Sequence, residues 1–160
     1  MKKYFILMLM ICMSQFVSAQ TAAGLINAYK DAPNVQFQSV SGELIKASMP
    51  LNAARIPENV DKEILMAAFD SIEKLDVVIM QKPTDLENEK IENQLSDLKK
   101  GGYDLYENLA YYKIEDNIVK DVLVSQVESN SGMRVLIHLT CNLTVDQAMQ
   151  LGGMIKGFMK

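Results

Sequence analysis

Three strand-patterned stretches follow one another between Tyr103 and Asn142 with only short breaks, and this limits the available folds more than any other feature of the chain. They cover 103–114, 117–127 and 133–142, separated by Glu115-Asp116-Asn117 and by Ser129-Asn130-Ser131-Gly132. Breaks this short cannot hold the long crossover that parallel strands require, so the pattern predicts an antiparallel meander. Thr144 and Gln147 then stand at capping-box spacing. Val145, Ala148, Met149, Ile155 and Phe158 recur at a helical period, which predicts a closing helix packed back on the sheet.

Upstream, helical and strand periods alternate. Ala22, Ala23, Leu25, Ile26 and Tyr29 predict a helix over 22–30, ended by Asp31-Ala32-Pro33-Asn34. A half-buried strand over 35–40 follows. Ser41 can cap a helix through Leu44, Ile45 and Met49, with Pro50 and Pro57 bracketing a loop. Residues 61–72 carry a helical stripe, and Leu75 to Met80 reads as a buried strand. Thr84 and Glu87 form a second capping-box pair, ahead of a helix whose apolar face is Leu86, Ile91, Leu95 and Leu98. Gly101-Gly102 supplies its stop. Glu87, Glu89, Lys90, Glu92, Asp97 and Lys99 are read as its solvent-facing charges. The order α-β-α-α-β-α-β-β-β-α predicts an α+β two-layer sandwich: a mixed, mostly antiparallel sheet of about five strands, with helices mainly on one face.

The amino terminus has a different character. Lys2 and Lys3 precede an apolar run from Tyr4 to Met13, and Val17-Ser18-Ala19 places modest side chains before a cleavage point between Ala19 and Gln20. This predicts a signal peptide over 1–19 and a single exported domain over 20–160, periplasmic or secreted. The run is too short to span a bilayer. Ile11 is large and β-branched where lipoprotein processing wants a small residue before Cys12. With 16 basic and 20 acidic residues the chain carries a net charge of −4, and losing Lys2 and Lys3 makes the exported part more acidic still. That balance, with Lys99-Lys100 as the longest basic run, opposes nucleic-acid binding. Export would also remove Cys12 and leave Cys141 without an internal disulfide partner.

Few residues suggest chemistry. One histidine and one remaining cysteine are too few soft ligands for structural zinc, and no acidic run has calcium-loop spacing, so no metal or other cofactor is expected. Neither Gly101-Gly102 nor Gly152-Gly153 belongs to a phosphate loop, and the second pair suggests close packing inside the last helix. Strand parity puts Met133, Val135, Ile137, Leu139 and Cys141 on one face, read as the core face. It puts Arg134, Leu136, His138, Thr140 and Asn142 on the other, so His138 and Cys141 cannot form a nucleophile–base pair. Cys141 reads as an inert buried thiol. Parity also separates Tyr103 and Tyr111 from Tyr106 and Tyr112. A surface site of His138, Arg134, Tyr106 and Tyr112 is one reading; a strand covered on both faces is the other. Asn142-Leu143-Thr144 matches a glycosylation sequon, but Thr144 is read as the helix cap.

The Lys-Lys leader ending Ser-Ala-Gln, Asp70-Ser71-Ile72 before a strand, the 117–127 and 133–139 hairpin, and the closing Leu139-Thr140-Cys141-Asn142-Leu143-Thr144 together resemble small exported proteins of Bacteroidetes, the domain of unknown function 4252 family. Cys141 departs from that pattern, which has glycine or another small residue there. The resemblance implies envelope localisation, an α+β domain and a link to envelope stress signalling; it supplies no catalytic residues. It also implies an O-glycosylation acceptor at Ser71, which competes with a plain helix-end role. The expectation from all of this is a non-catalytic module binding an unknown protein or small ligand in the envelope. The alternatives are a small periplasmic hydrolase using carboxylates, or His138 with Arg134 and Thr140, and a self-associating structural module.

Overall fold

The structure, a computed structural model, describes residues 21–52, 61–108 and 110–158. The expected signal peptide and its cleavage point at Ala19 and Gln20 lie outside the described residues. The elements in chain order are α1 (Ala22–Tyr29), β1 (Val35–Ser41), α2 (Gly42–Asn52), α3 (Lys62–Asp70), β2 (Ile72–Met80), α4 (Asp85–Asp97), a short 3₁₀ turn (Leu98–Gly101), β3 (Asp104–Tyr106), β4 (Ala110–Glu115), β5 (Ile118–Val127), β6 (Arg134–Thr144) and α5 (Val145–Phe158). Among the described residues, no helix is long and apolar enough to cross a membrane.

The fold is an α+β sandwich. Its sheet has six strands in the order β1-β2-β6-β5-β4-β3, antiparallel at every pairing. The sixth strand comes from 103–114, which reads as one strand in sequence but folds as a hairpin. Glu107 and Asn108 both take positive φ, 47° and 56°, and bring Tyr106 opposite Ala110. Asp116 and Asn117, also left-handed, make the tight turn expected between β4 and β5. α2 runs two residues past Pro50, where a loop was expected to begin; Pro57 lies outside the described residues.

The caps expected from sequence are formed. Thr84 and Glu87 bond reciprocally at the start of α4. At α5, the Thr144 amide donates to Gln147 Oε1 at 2.9 Å and the Gln147 amide to Thr144 Oγ1 at 3.3 Å. Gly102 takes φ 86° just past the 3₁₀ turn and donates to the carbonyls of Leu98 and Lys99. Leu86 does not join the buried face of α4: it is 76% exposed, because it lies five residues before Ile91 and so about 140° around the helix from it.

Helices cover both faces of the sheet. On one face, α1 and α4 pack Leu25, Ile26, Ile91 and Leu95 against Val78, Leu123 and Leu136. On the other, α2, α3 and α5 pack Ile45, Leu65, Ala68 and Leu151 against Leu139, Cys141 and Leu143. The two layers are offset along β6. The α1/α4 layer covers the Arg134–His138 end, and the α2/α3/α5 layer covers the Leu139–Leu143 end. The stripe expected to be the core face therefore divides: Leu139 and Cys141 are buried, whereas Met133, Val135 and Ile137 are only half-buried. The opposite stripe of Arg134, Leu136 and His138 is the more deeply covered at that end.

Candidate functional site

The four residues read as one surface site fall on opposite sides of the sheet. His138 and Arg134 are each 3% exposed beneath α1 and α4, so neither contributes to a surface. Tyr106 and Tyr112 face the other way, beside α5. The parity split of the tyrosines holds, with Tyr103 and Tyr111 on the α1/α4 side.

His138 sits between two carboxylates. It pairs with Asp76 on β2 and Leu123 on β5, and this puts it level with Asp76 and one inward-facing position from Asp121. Its Nε2 is in short contact with Asp121 Oδ1, and its Nδ1 lies 3.7 Å from Asp76 Oδ2. Tyr103 extends the chain of contacts, donating its hydroxyl proton to Asp121 Oδ2 at 2.9 Å and accepting from the Ala22 amide at 3.1 Å. Lys74 Nζ closes the other end, 2.8 Å from Asp76 Oδ2. Burial works against the Asp76 carboxylate, but the hydrogen bonds from Lys74 and Ser39, with the charges of Lys74 and His138, outweigh it and hold its pKa below the ordinary value. Burial, reinforced by the neighbouring Asp121 charge, pushes the Tyr103 phenol up to about 12. Asp76 Oδ1 and His138 Nδ1 make no hydrogen bond among the described residues. The cluster ties α1, β2, β5 and β6 together through polar contacts. The signal for it in the sequence was Asp76 itself, a single acid inside the apolar run from Leu75 to Met80.

Arg134 forms a second polar anchor. Its guanidinium donates to Asn88 Oδ1 at 2.9 Å, Ser125 Oγ at 2.9 Å and Glu92 Oε1 at 2.7 Å. Glu92 is therefore not merely one of the solvent-facing charges of α4: it helps fix the helix to the sheet. Cys141 points to the α2/α3/α5 side, away from His138, and its thiol donates to the Val119 carbonyl at 3.4 Å. Burial pushes that thiol up to about 12, so it is protonated at neutral pH and a poor nucleophile. Ser71 is the C-cap of α3. Its hydroxyl donates to the Ala67 carbonyl at 2.9 Å and its carbonyl accepts from the Asn142 amide, which is the helix-end role.

An apolar groove lies between α5 and the β4–β5 part of the sheet. Its volume is about 220 Å³, and Ala110, Tyr112, Val122, Val124, Ala148 and Met149 are among the residues lining it. Tyr106, Ile114 and Met149 stand at the groove with exposures of 42%, 40% and 54%. α5 packs Leu151 against Leu139 and Leu143, and among the described residues no helix packs over the outer strands on this face. Gly152 lines the groove, and among the described residues an added Cβ there would meet nothing within 4 Å.

No family model matches the chain, and neither a curated protein nor a solved structure is significantly similar to it.

Proposed function

We propose that the chain is an exported, non-catalytic binding module of the cell envelope, and that its ligand is a small molecule with an aliphatic or aromatic apolar part, held in the groove beside α5. The groove carries this reading. Apolar cavities of about 150 Å³ lined by aliphatic and aromatic side chains stay dry and take up benzene-sized guests. This one is larger, opens to the surface and has an apolar lining. Met149 gives its wall an adaptable, polarisable side chain. The leader sequence supports the envelope as its place of action, and the resemblance to the Bacteroidetes family supports a role beside envelope stress signalling. The polar groups point away from catalysis: His138 is buried between carboxylates on the far side of the sheet, and the Cys141 thiol faces away from it.

Titration of the purified protein with a dansyl-labelled fatty acid tests the reading. Saturable fluorescence enhancement is expected, displaced by unlabelled medium-chain fatty acid. Ala148→Trp, which fills the groove from a half-buried position on α5, is expected to remove it, whereas Leu86→Ala on the opposite side of the molecule leaves it unchanged. Absence of saturable binding, or equal binding by Ala148→Trp, overturns the assignment.

A further inference from the structure

β1 is an outer strand, paired with β2 on one side only. The Gln81 amide donates to the Asn34 carbonyl at 3.1 Å, and this sets the phase of the antiparallel ladder. Gln36, Gln38 and Val40 turn their amides and carbonyls toward β2, while Val35, Phe37 and Ser39 turn theirs outward. The Val35 amide is taken by the Ala32 carbonyl at 3.1 Å. The amides and carbonyls of Phe37 and Ser39 therefore line the open edge, with no strand beside them among the described residues.

Such edges are ordinarily blunted by lysine, proline, a bulge or brevity. β1 has none of these. Its seven residues, Val-Gln-Phe-Gln-Ser-Val-Ser, carry no charge and no proline, and its register with β2 is unbroken from Val35 to Ser41. The opposite edge is different, since β3 is only three residues long and begins with Asp104. Phe37 is 39% exposed on the open strand.

We infer that β1 pairs antiparallel with β1 of a second copy of this chain, across a two-fold axis at Gln38, joining the two sheets into one. In that register Phe37 of each copy lies opposite Ser39 of the other, and each such pair exchanges both backbone hydrogen bonds. Gln36 meets Val40, and Gln38 meets itself. A two-fold axis sets the central residue against its own image, where a charged side chain would repel and an amide can bond. The neutrality of the whole strand suits self-pairing, because no register about this axis brings like charges together. Closed two-fold dimers are also the commonest symmetric assembly.

Light scattering after size exclusion, over a concentration series of the purified protein, reads the proposal directly. The mass is expected to rise toward twice that of the chain. Gln38→Lys puts two positive charges on the axis, and Phe37→Pro removes an outward amide that the single chain does not use; both are expected to restore the single-chain mass with unchanged circular dichroism. Under mild oxidation Gln38→Cys is expected to crosslink two chains, since directly opposed residues of a non-hydrogen-bonded pair lie within disulfide reach, whereas Gln36→Cys is not. A single-chain mass at every concentration without a Gln38→Cys crosslink overturns the proposal. So does a dimer indifferent to Gln38→Lys, or equal crosslinking through Gln36→Cys.

Discussion

Tyr103 and Asp121 are joined hydroxyl to carboxylate at 2.9 Å, and the same hydroxyl oxygen accepts the first amide of α1, from Ala22, at 3.1 Å. One phenol thus links β5 to the start of a helix. Both Ala22 and Tyr103 are buried, so water does not replace the bond without rearrangement. Tyr103→Phe keeps the ring in the α1/α4 core and removes the hydroxyl. It is expected to lower stability by about 1–3 kcal/mol, the range for stranding a buried donor, as a lower urea midpoint at unchanged slope.

His138 stands between two carboxylates, Asp76 and Asp121, on the strands either side of its own. Removing it leaves Asp76, itself 4% exposed, with its Lys74 contact, and leaves Asp121 with the Tyr103 hydroxyl. His138→Ala is expected to cost about 2–5 kcal/mol, the scale for truncating a large buried side chain and leaving its hydrogen-bonding partner unsatisfied. His138→Ala combined with Asp76→Asn is expected to recover part of that loss. Equal additive costs in this cycle would show that the two residues do not interact.

Gly42 opens α2 where an added Cβ would lie 2.1 Å from the Ile72 carbonyl oxygen, a backbone atom that cannot swing aside. The chain passes this closely because β1 feeds α2 directly over the start of β2. Gly42→Ala is expected to force the two segments apart and to lower the thermal midpoint, at a cost of about 1–3 kcal/mol by overpacking.

Local signals were the legible ones. Both capping boxes, the Gly102 stop and the Asp116-Asn117 turn are written in neighbouring residues and form as read. The Glu107-Asn108 turn was hidden, because neither residue type demands positive φ in the way glycine does and the flanking tyrosines continue a strand pattern. The core face of β6 was misread for a non-local reason. Val135 and Ile137 are apolar, yet which face receives a helix depends on where α1 and α4 land, and those contacts come from the far end of the chain. The groove was equally invisible, since its lining comes from several strands and α5 rather than from a pattern in any one segment. Asp76 was the exception, a buried site residue that its apolar neighbours could have disclosed.

Gly152 sits in the interior of α5 facing open space at the groove. Here the helix carries the entropic cost of glycine, and no described residue packs closely against it. Gly152→Ala is expected to stabilise the protein by about 0.5–1 kcal/mol, seen as a raised thermal midpoint. The added methyl enters the groove, so the same variant is expected to weaken binding of the larger acyl probes more than the smaller ones.

Three of the pKa shifts bear on how stability changes with pH. Tyr103 and Cys141 are each raised to about 12, from ordinary values of 10.0 and 9.0. Between the ordinary and the raised values the unfolded chain has lost these protons while the folded chain keeps them, so it is the unfolded state that gains as pH rises. Their stabilising contribution is complete below about pH 9 and is lost progressively up to about 12. Asp76 acts in the opposite sense. Its folded pKa is held below the ordinary 3.8, so its contribution is present above that value and is lost as the pH falls through the lower, folded one. Urea midpoints measured from pH 3 to 11 are expected to form a plateau with an alkaline fall beginning near pH 9. Cys141→Ala is expected to be less stable at neutral pH but to begin its alkaline fall about one unit higher, where tyrosine takes over from the thiol. An alkaline limb of unchanged position in that variant would mean that Cys141 stays protonated equally in both states and is not buried as described.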